Sequence, residues 1–440
     1  MTRSNANPAS RINVIAFYAS IMALFVVVHL TQDILQSALQ GPWLPPALKF
    51  AGTRSNIVLT AAPAFKAFVF LLCVSIVCLP LLGDLFRKVG SLELAALGRA
   101  ILTGLGAALI LSLLGFCLGN DGMGLNYARI SERPFDQDST EYSTRLFLPA
   151  LAYILHLRGF WPYYAFFVCL TIGFIALLQI WNEENAHLNF WQFISLCTSS
   201  FVIFQFEIPG YPDILVFIFF ILVMQRRLAS RAKLSLLILA LITHESSMLI
   251  AVLLAWRYLQ RKDFITYLGA VIIYGVIWLT ASGFSLSPIL ASHEVAGRST
   301  LAWLLQAPLQ EIIGILVAYK ALWIFLIIGI VLAFRQRLFA DALFMLGCVI
   351  GGLVLTVFGV DTSRLMGYAF PGLLLAIATI RSAPGRMGER AASLIFAVNL
   401  CIPSFDSVLS SGAFSAPGLY ALLYSWLRSL LGFRSGNLQT

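Results

Sequence analysis

The chain has 440 residues, of which 60% are hydrophobic and only 11% charged, with a formal net charge of +9. A soluble domain carries about 25% charged residues, so this composition excludes a soluble globular protein and makes lipid the solvent. The positive balance fits cytoplasmic loops of a membrane protein better than a nucleic-acid surface.

In chain order the apolar runs are Val14–Leu30, Ala61–Leu82, Leu97–Leu118, Phe160–Trp181, Phe190–Phe206, Ile214–Met224, Leu234–Trp256, Phe264–Phe284, Ile312–Phe334, Ala342–Val360, Leu365–Ile380, Ala391–Ile402 and Pro417–Leu431. They are unbroken rather than alternating, which excludes a lipid-facing β-barrel. The expected fold is all-α, a single polytopic bundle (1–440) of about 10–13 membrane helices, some short or re-entrant. The first run is longer than a signal-peptide core and lacks a cleavage motif, so it is expected to stay as a helix. The seven Cys stand singly in apolar runs and read as small hydrophobes, not as disulfides or zinc ligands.

Basic clusters occur at Arg87/Lys88, Arg226/Arg227/Arg231/Lys233, Arg257/Arg261/Lys262, Arg335/Arg337 and Arg381/Arg386/Arg390. The positive-inside rule makes these cytoplasmic, together with the N-terminus. The remaining connections then face outward: 32–60, 120–145, 207–213, 285–311, 361–364 and 404–416. Within 120–158, an outer loop leads into Leu146–Leu157, which is too short for an ordinary span and is expected to lie at the outer interface or dip in. The run Leu234–Trp256 has basic clusters on both sides. Either one cluster lies outside, or the run is a hairpin of two short arms bent near His244–Ser247. A hairpin puts its tip at membrane depth, where irregular backbone must line a cavity or be buried in protein.

Ionisable residues at such depth are costly and mark functional sites by default. His244 and Glu245 are therefore candidate substrate-contacting residues. As consecutive residues they point about 100° apart on a helix, so joint action needs a helix break or two partners. The outer loop holds Asp121, Glu132, Asp136, Asp138 and Glu141, with Arg129, Arg133 and Arg145 between them. Close carboxylates can act as a general base or hold a divalent cation, and Arg can bind phosphate through paired hydrogen bonds. The same pattern is also that of a solvated loop. In FQFEIPGYPD, Asp213 is a further candidate, or simply the cap of the next helix. In FGVDTSRLMGYAFPG, Arg364 near a positive helix end needs an anionic partner. That partner is either Asp361 or a substrate phosphate. ATP-binding, dinucleotide-binding, zinc-protease and serine-hydrolase motifs are absent.

The Gly119–Asn120–Asp121 segment, followed by Tyr127 at the outer end of a helix, resembles the polytopic glycosyltransferases of the GT-C class. The segment RLFLPALAYIL from Arg145 is similar to stretches in many bacterial members. The resemblance implies a helical bundle in a bacterial inner membrane that uses a polyprenyl-phosphate-linked sugar donor at the outer face, in cell-envelope or exopolysaccharide assembly. It implies that Asp121, Asp136 or Asp138 acts as the catalytic base. Tyr127, Glu141, Arg145, Asp213, His244, Glu245, Asp361 and Arg364 would then contact substrate. The family's acidic loop usually follows the first helix, whereas here it follows the third run; Asp33 is the alternative acid. THESSML resembles the H-x-S stretch of EpsG-like and Wzy-like exopolysaccharide polymerases. A proton-coupled transporter or flippase with His244–Glu245 as relay is the competing reading.

Overall fold

The computed structural model describes residues 94–115, 122–134, 145–207, 209–225, 228–281, 294–295, 298–299, 308–358, 361–383, 389–402, 406–408 and 413–415. The first two apolar runs, the run Pro417–Leu431, Asp33, Asp121, Asp136, Asp138 and Glu141 lie outside the described residues.

The described part is helical, as its unbroken apolar runs require. In order the helices are α1 (Leu94–Gly115), α2 (Gly122–Ile130), α3 (Phe147–Ile154), α4 (Phe160–Asn185), α5 (Phe190–Cys197), α6 (Ser200–Glu207), α7 (Asp213–Met224), α8 (Ser230–Thr243), α9 (Ser247–Tyr258) and α10 (Arg261–Ala281). There follow α11 (Pro308–Tyr319), α12 (Trp323–Arg335), α13 (Phe339–Phe358), α14 (Thr362–Gly367), α15 (Phe370–Ser382) and α16 (Glu389–Cys401). Among the described residues three helical stretches are long and apolar enough to cross a membrane: Phe160–Asn185, Glu311–Arg335 (α11 and α12 joined through the 3-10 turn Lys320–Leu322) and Phe339–Val357. Shorter apolar helices stand beside them, and the whole is consistent with a helical membrane protein.

The described residues are helical as expected, and two short antiparallel pairings accompany the helices: Glu294–Val295 with Arg298–Ser299, and Asp406–Val408 with Ala413–Ser415. These satisfy connecting backbone outside the helices, which helix periodicity does not register. The polar stretch after α1 also contains a helix, α2, because Tyr127, Ala128 and Ile130 bury one face of it. Gly124 makes this docking possible; a Cβ there would lie 1.8 Å from the Pro209 carbonyl oxygen. The segment after Arg145 forms α3, but five of its residues are buried: Phe147, Leu148, Pro149, Ala150 and Ala152. It is wedged among α2, α4 and α8 rather than laid on a surface.

The run Leu234–Trp256 is a hairpin. Helices α8 and α9 are separated by an extended His244 and pack against each other. Their far ends meet, because the Gln260 backbone N–H donates to Ser230 Oγ at 2.9 Å and Lys233 Nζ lies 5.3 Å from the Tyr258 ring centroid. Both basic flanks are therefore on one side of the bundle. Arms of 14 and 12 residues rise about 21 and about 18 Å at about 1.5 Å per residue, short of the roughly 30 Å hydrocarbon layer. Helix α7, also 12 residues, is equally short. Cysteines introduced at Ala229 and Gln260 are expected to react with impermeant maleimide from the same side of sealed vesicles. Labelling from opposite sides would refute the hairpin.

The basic end is tied by ion pairs. Arg257 Nη2 lies 2.6 Å from Asp341, and Arg381 Nη1 2.5 Å from Glu389. Gln192 joins the second pair, donating to Glu389 and accepting from Arg381. Asn189 and Gln192 form a capping box that starts α5 at this end. Along the α5–α16 seam, Ser195 donates to the Phe396 carbonyl and Asn399 donates to the Ser195 carbonyl. Such bonds hold helices together where lipid removes the hydrophobic drive.

Close packing supplies the rest. Phe201 stacks on Phe370 at 4.8 Å, and Phe174 and Phe217 meet the same ring edge-on. Gly329 lets α12 touch α15, since a Cβ there would sit 2.5 Å from Ala376 Cβ and 2.7 Å from its Cα. Gly329→Ala is expected to lower stability by about 1–3 kcal/mol, the usual range for overpacking. Thermal unfolding in detergent would measure this, and an unchanged midpoint would contradict the packing.

Candidate functional site

At the end of the bundle opposite the basic clusters, four chain segments bring polar side chains together. The segments are the tip of the α8–α9 hairpin, the start of α7, the start of α14 and the residue preceding α3.

The centre is Asp213, with side-chain exposure of 1%. Pro209, Gly210 and Pro212 turn the chain before it, with Gly210 at φ 99°, a conformation that favours glycine. Pro212 occupies the cap position, so Asp213 is the first residue of α7 rather than its cap. Its Oδ1 accepts the Tyr368 hydroxyl at 2.5 Å and lies 3.5 Å from His244 Nε2; its Oδ2 lies 3.5 Å from Arg364 Nη1.

His244 is held by the helix break it creates. Its Nδ1 accepts the Ser246 backbone N–H at 3.1 Å, within the turn that opens α9. That bond uses the Nδ1 lone pair, so in this geometry the ring is neutral and its proton sits on Nε2, facing Asp213. His244 thus presents its Nε2 to Asp213 Oδ1 at 3.5 Å.

Arg364 lies between two carboxylates, Asp213 and Asp361, the latter 3.3 Å from Nε. Its guanidinium carbon stands 4.2 Å from the Tyr211 ring centroid, a cation–π geometry. Asp361 occupies the N-cap position of α14 but its side chain makes no capping bond; it pairs with Arg364 instead. Arg364 thus has both carboxylates within 3.5 Å. Next to Asp361, the Thr362 hydroxyl donates to buried Glu311.

Glu245 and Arg145 form the more open part. Arg145 grips the carboxylate with Nε at 2.9 and 3.2 Å from its two oxygens, and with a short contact from Nη2. Side-chain exposure is 16% for Arg145 and 28% for Glu245, against 1% for Asp213 and His244. This pair is the more exposed face of the cluster. Tyr127 lies beside it through Tyr211, ring centroids 5.3 Å apart and edge-on.

Of the substrate-contacting residues expected from sequence, Tyr127, Arg145, Asp213, His244, Glu245, Asp361 and Arg364 thus belong to one continuous cluster. Glu141 and the catalytic candidates Asp121, Asp136 and Asp138 lie outside the described residues. Tyr211, Tyr368 and Glu311 belong to the cluster and were not singled out. Tyr368 stands four residues after Arg364, one helical turn, and that spacing is the signal that would have found it. At the centre of the cluster the carboxylates of Asp213, Glu245 and Asp361 face the guanidiniums of Arg145 and Arg364. Among the described residues no group of three or more His, Cys, Asp or Glu is gathered to hold a metal ion. A divalent cation at the acidic loop concerns residues outside them.

Comparison with protein-family models, with curated proteins and with solved structures finds no match. The class that can be stated is therefore that of fold and site: a helical protein with membrane-length apolar helices and a charged, recessed cluster at one end.

Proposed function

We propose that this protein is a polytopic membrane glycosyltransferase that uses a polyprenyl-phosphate-linked sugar donor at the outer face of a bacterial inner membrane. The observation that carries the reading is the cluster of Arg145, Asp213, His244, Glu245 and Arg364, recessed at the end opposite the basic residues. With the basic end cytoplasmic, the cluster opens outward, where a lipid-linked donor presents its sugar. The short helices α7, α8 and α9 keep it below the membrane surface, within reach of a headgroup. Carboxylates, tyrosines and arginines are the groups that hydrogen-bond and stack on sugars.

In the step, the acceptor hydroxyl oxygen attacks the anomeric carbon, the bond from that carbon to the phosphate oxygen breaks, and the lipid phosphate leaves with the electron pair. The hydroxyl proton goes to a carboxylate. Asp121, Asp136 and Asp138 remain the proposed bases. Glu245, held by Arg145, would orient a sugar hydroxyl, while the Arg145 guanidinium would stabilise the departing phosphate. Asp213, His244 and Arg364 form the floor.

One observation favours the polymerase form of this chemistry. The H-x-S stretch on which the EpsG-like and Wzy-like resemblance rests, His244 to Ser246, is the hairpin tip and part of the cluster's centre. A polymerase would take lipid-linked units as both donor and acceptor.

The test is purified protein in nanodiscs with radiolabelled lipid-linked oligosaccharide from a candidate host. Formation of new glycosidic bonds, lost in Asp121→Asn or Asp138→Asn while folding persists, is the expected result. Normal transfer by all of the acidic-loop variants would remove those bases. Movement of donor across vesicles without bond formation would favour the flippase.

A further inference from the structure

Helix α14 carries Arg364, and little within the helix itself fixes where it lies. It has six residues, under two turns at about 3.6 residues per turn. Its N-cap residue, Asp361, pairs with Arg364 and makes no bond to the helix start. At the far end, the Gly367 carbonyl lacks the usual helical donor four residues on, because that residue is Pro371 and has no N–H.

Helix α11 supplies a tie at each end. The hydroxyl of Thr362, the first residue of α14, donates to Oε2 of Glu311 in the first turn of α11. The hydroxyl of Tyr319, the last residue of α11, donates to the Met366 carbonyl at 2.9 Å and the Gly367 carbonyl at 3.2 Å. Start meets start and end meets end, so the two helices run side by side in the same direction. Glu311 is 4% exposed, and Tyr319 and Thr362 are 0% exposed, so water does not compete for these bonds. Gly367 also rests on the start of α6, where a Cβ would lie 3.1 Å from Ser200 Oγ and 3.3 Å from the Phe201 nitrogen. Between the two ties, Arg364 reaches Asp213 at 3.5 Å and Asp361 at 3.3 Å while lying over the Tyr211 ring. A displacement of α14 by about 1 Å would carry the contact with Asp213 past the ion-pair limit of about 4 Å. Glu311 and Tyr319 bond to α14 on either side of Arg364 and act on it through the helix.

We infer that Glu311 and Tyr319 are positioning residues, which fix α14 at both ends so that the Arg364 guanidinium lies between Asp213 and Asp361. The inference takes from the proposed function only that the cluster is the site. Its readout is the Arg364 side chain and not turnover, so a wild-type protein without glycosyl transfer would leave it standing.

The experiment uses the whole protein in lipid bilayers, with its arginines labelled with heavy nitrogen, and solid-state magnetic resonance. The Arg364 Nε resonance is identified by its absence from Arg364→Lys. It is expected to shift and broaden in Glu311→Ala and in Tyr319→Phe. Glu311→Gln is expected to keep the wild-type resonance, because the amide oxygen still accepts from Thr362. Thr362→Val, which removes the donor of the same tie, serves if Glu311→Ala does not fold. Deuterium exchange of the amides of residues 362–368 is expected to quicken about tenfold in Tyr319→Phe, as loss of one hydrogen bond allows. Ser195→Ala removes a buried hydrogen bond of the same kind on the α5–α16 seam and is expected to leave the Arg364 resonance in place. A resonance unmoved by the loss of either tie overturns the inference. An equal shift in Ser195→Ala does so too, since it would reduce both ties to general packing.

Discussion

Exchanging Arg145 and Glu245 is expected to yield a protein that folds but does not turn over. Either single change, Arg145→Ala or Glu245→Ala, strands one charge of a pair at 16% and 28% exposure. Fully exposed pairs contribute about 0–1 kcal/mol, and removing one partner of a fully buried pair costs about 3–5 kcal/mol. This pair lies between those limits, so each single variant should lose about 2 kcal/mol of stability, and the exchanged double variant should recover most of it. Transfer should not recover. If Glu245 orients a sugar hydroxyl and Arg145 meets the phosphate, the exchange presents each group to the wrong partner. A loss of at least about 100-fold in turnover, or about 2.7 kcal/mol of barrier, is expected in all three variants. The informative comparison is thermal midpoint against rate on the same preparations. Restored turnover in the exchanged variant would make the pair purely structural and would move the reacting groups elsewhere.

How much of this was legible in the sequence depended on the type of signal. Like charge on both flanks of Leu234–Trp256 was enough to raise the hairpin, because two basic flanks on one apolar run conflict with a single crossing, and α8 and α9 resolve the conflict as a bend at His244. The break also answers how two consecutive residues act together: His244 turns inward to Asp213 while Glu245 turns to Arg145. Individual polar residues in apolar surroundings were visible because lipid makes each one expensive. Their mutual contacts were not, since Arg145 and Glu245 are 100 residues apart and Tyr368 and Asp213 are 155 apart. Tyr211 and Tyr368 escaped notice because tyrosine is unremarked at a membrane interface. Gly329 gave no local sign of its contact with Ala376, which depends on which helix faces it. The helix α2 was hidden inside a stretch whose composition reads as loop; burial of Tyr127, Ala128 and Ile130, with Tyr127 set against Tyr211, accounts for it.

The buried floor should respond to mutation as one unit. Arg364→Ala would leave Asp213 and Asp361 as two carboxylates without their shared cation in a site that is 1% and 9% exposed. The expected loss is about 3–5 kcal/mol, enough to prevent accumulation of a marginal membrane protein. Arg364→Lys should rescue it only in part. A planar guanidinium reaches Asp213 through Nη1 and Asp361 through Nε while lying over the Tyr211 ring, whereas an ammonium has no planar fork to do all three. Tyr368→Phe removes a single bond to a charged acceptor and should cost about 1.5–3 kcal/mol, with Asp213 still held by Arg364 and His244. Asp213→Asn tests the network most sharply. It keeps the volume but supplies an amide whose donor end would confront His244 Nε2–H or Arg364, both already donors. Combined with Tyr368→Phe, it should show a coupling of about 0.5–3 kcal/mol, the range for residues sharing one network. Unfolding in detergent for the four members of that cycle measures the coupling directly, and simple additivity would mean that Asp213 and Tyr368 do not act together. A coupled floor of this kind cannot shift one member without the others. Loss of transfer in Tyr368→Phe, beyond what its stability explains, would then place the substrate against the floor and not only against the Arg145–Glu245 pair above it.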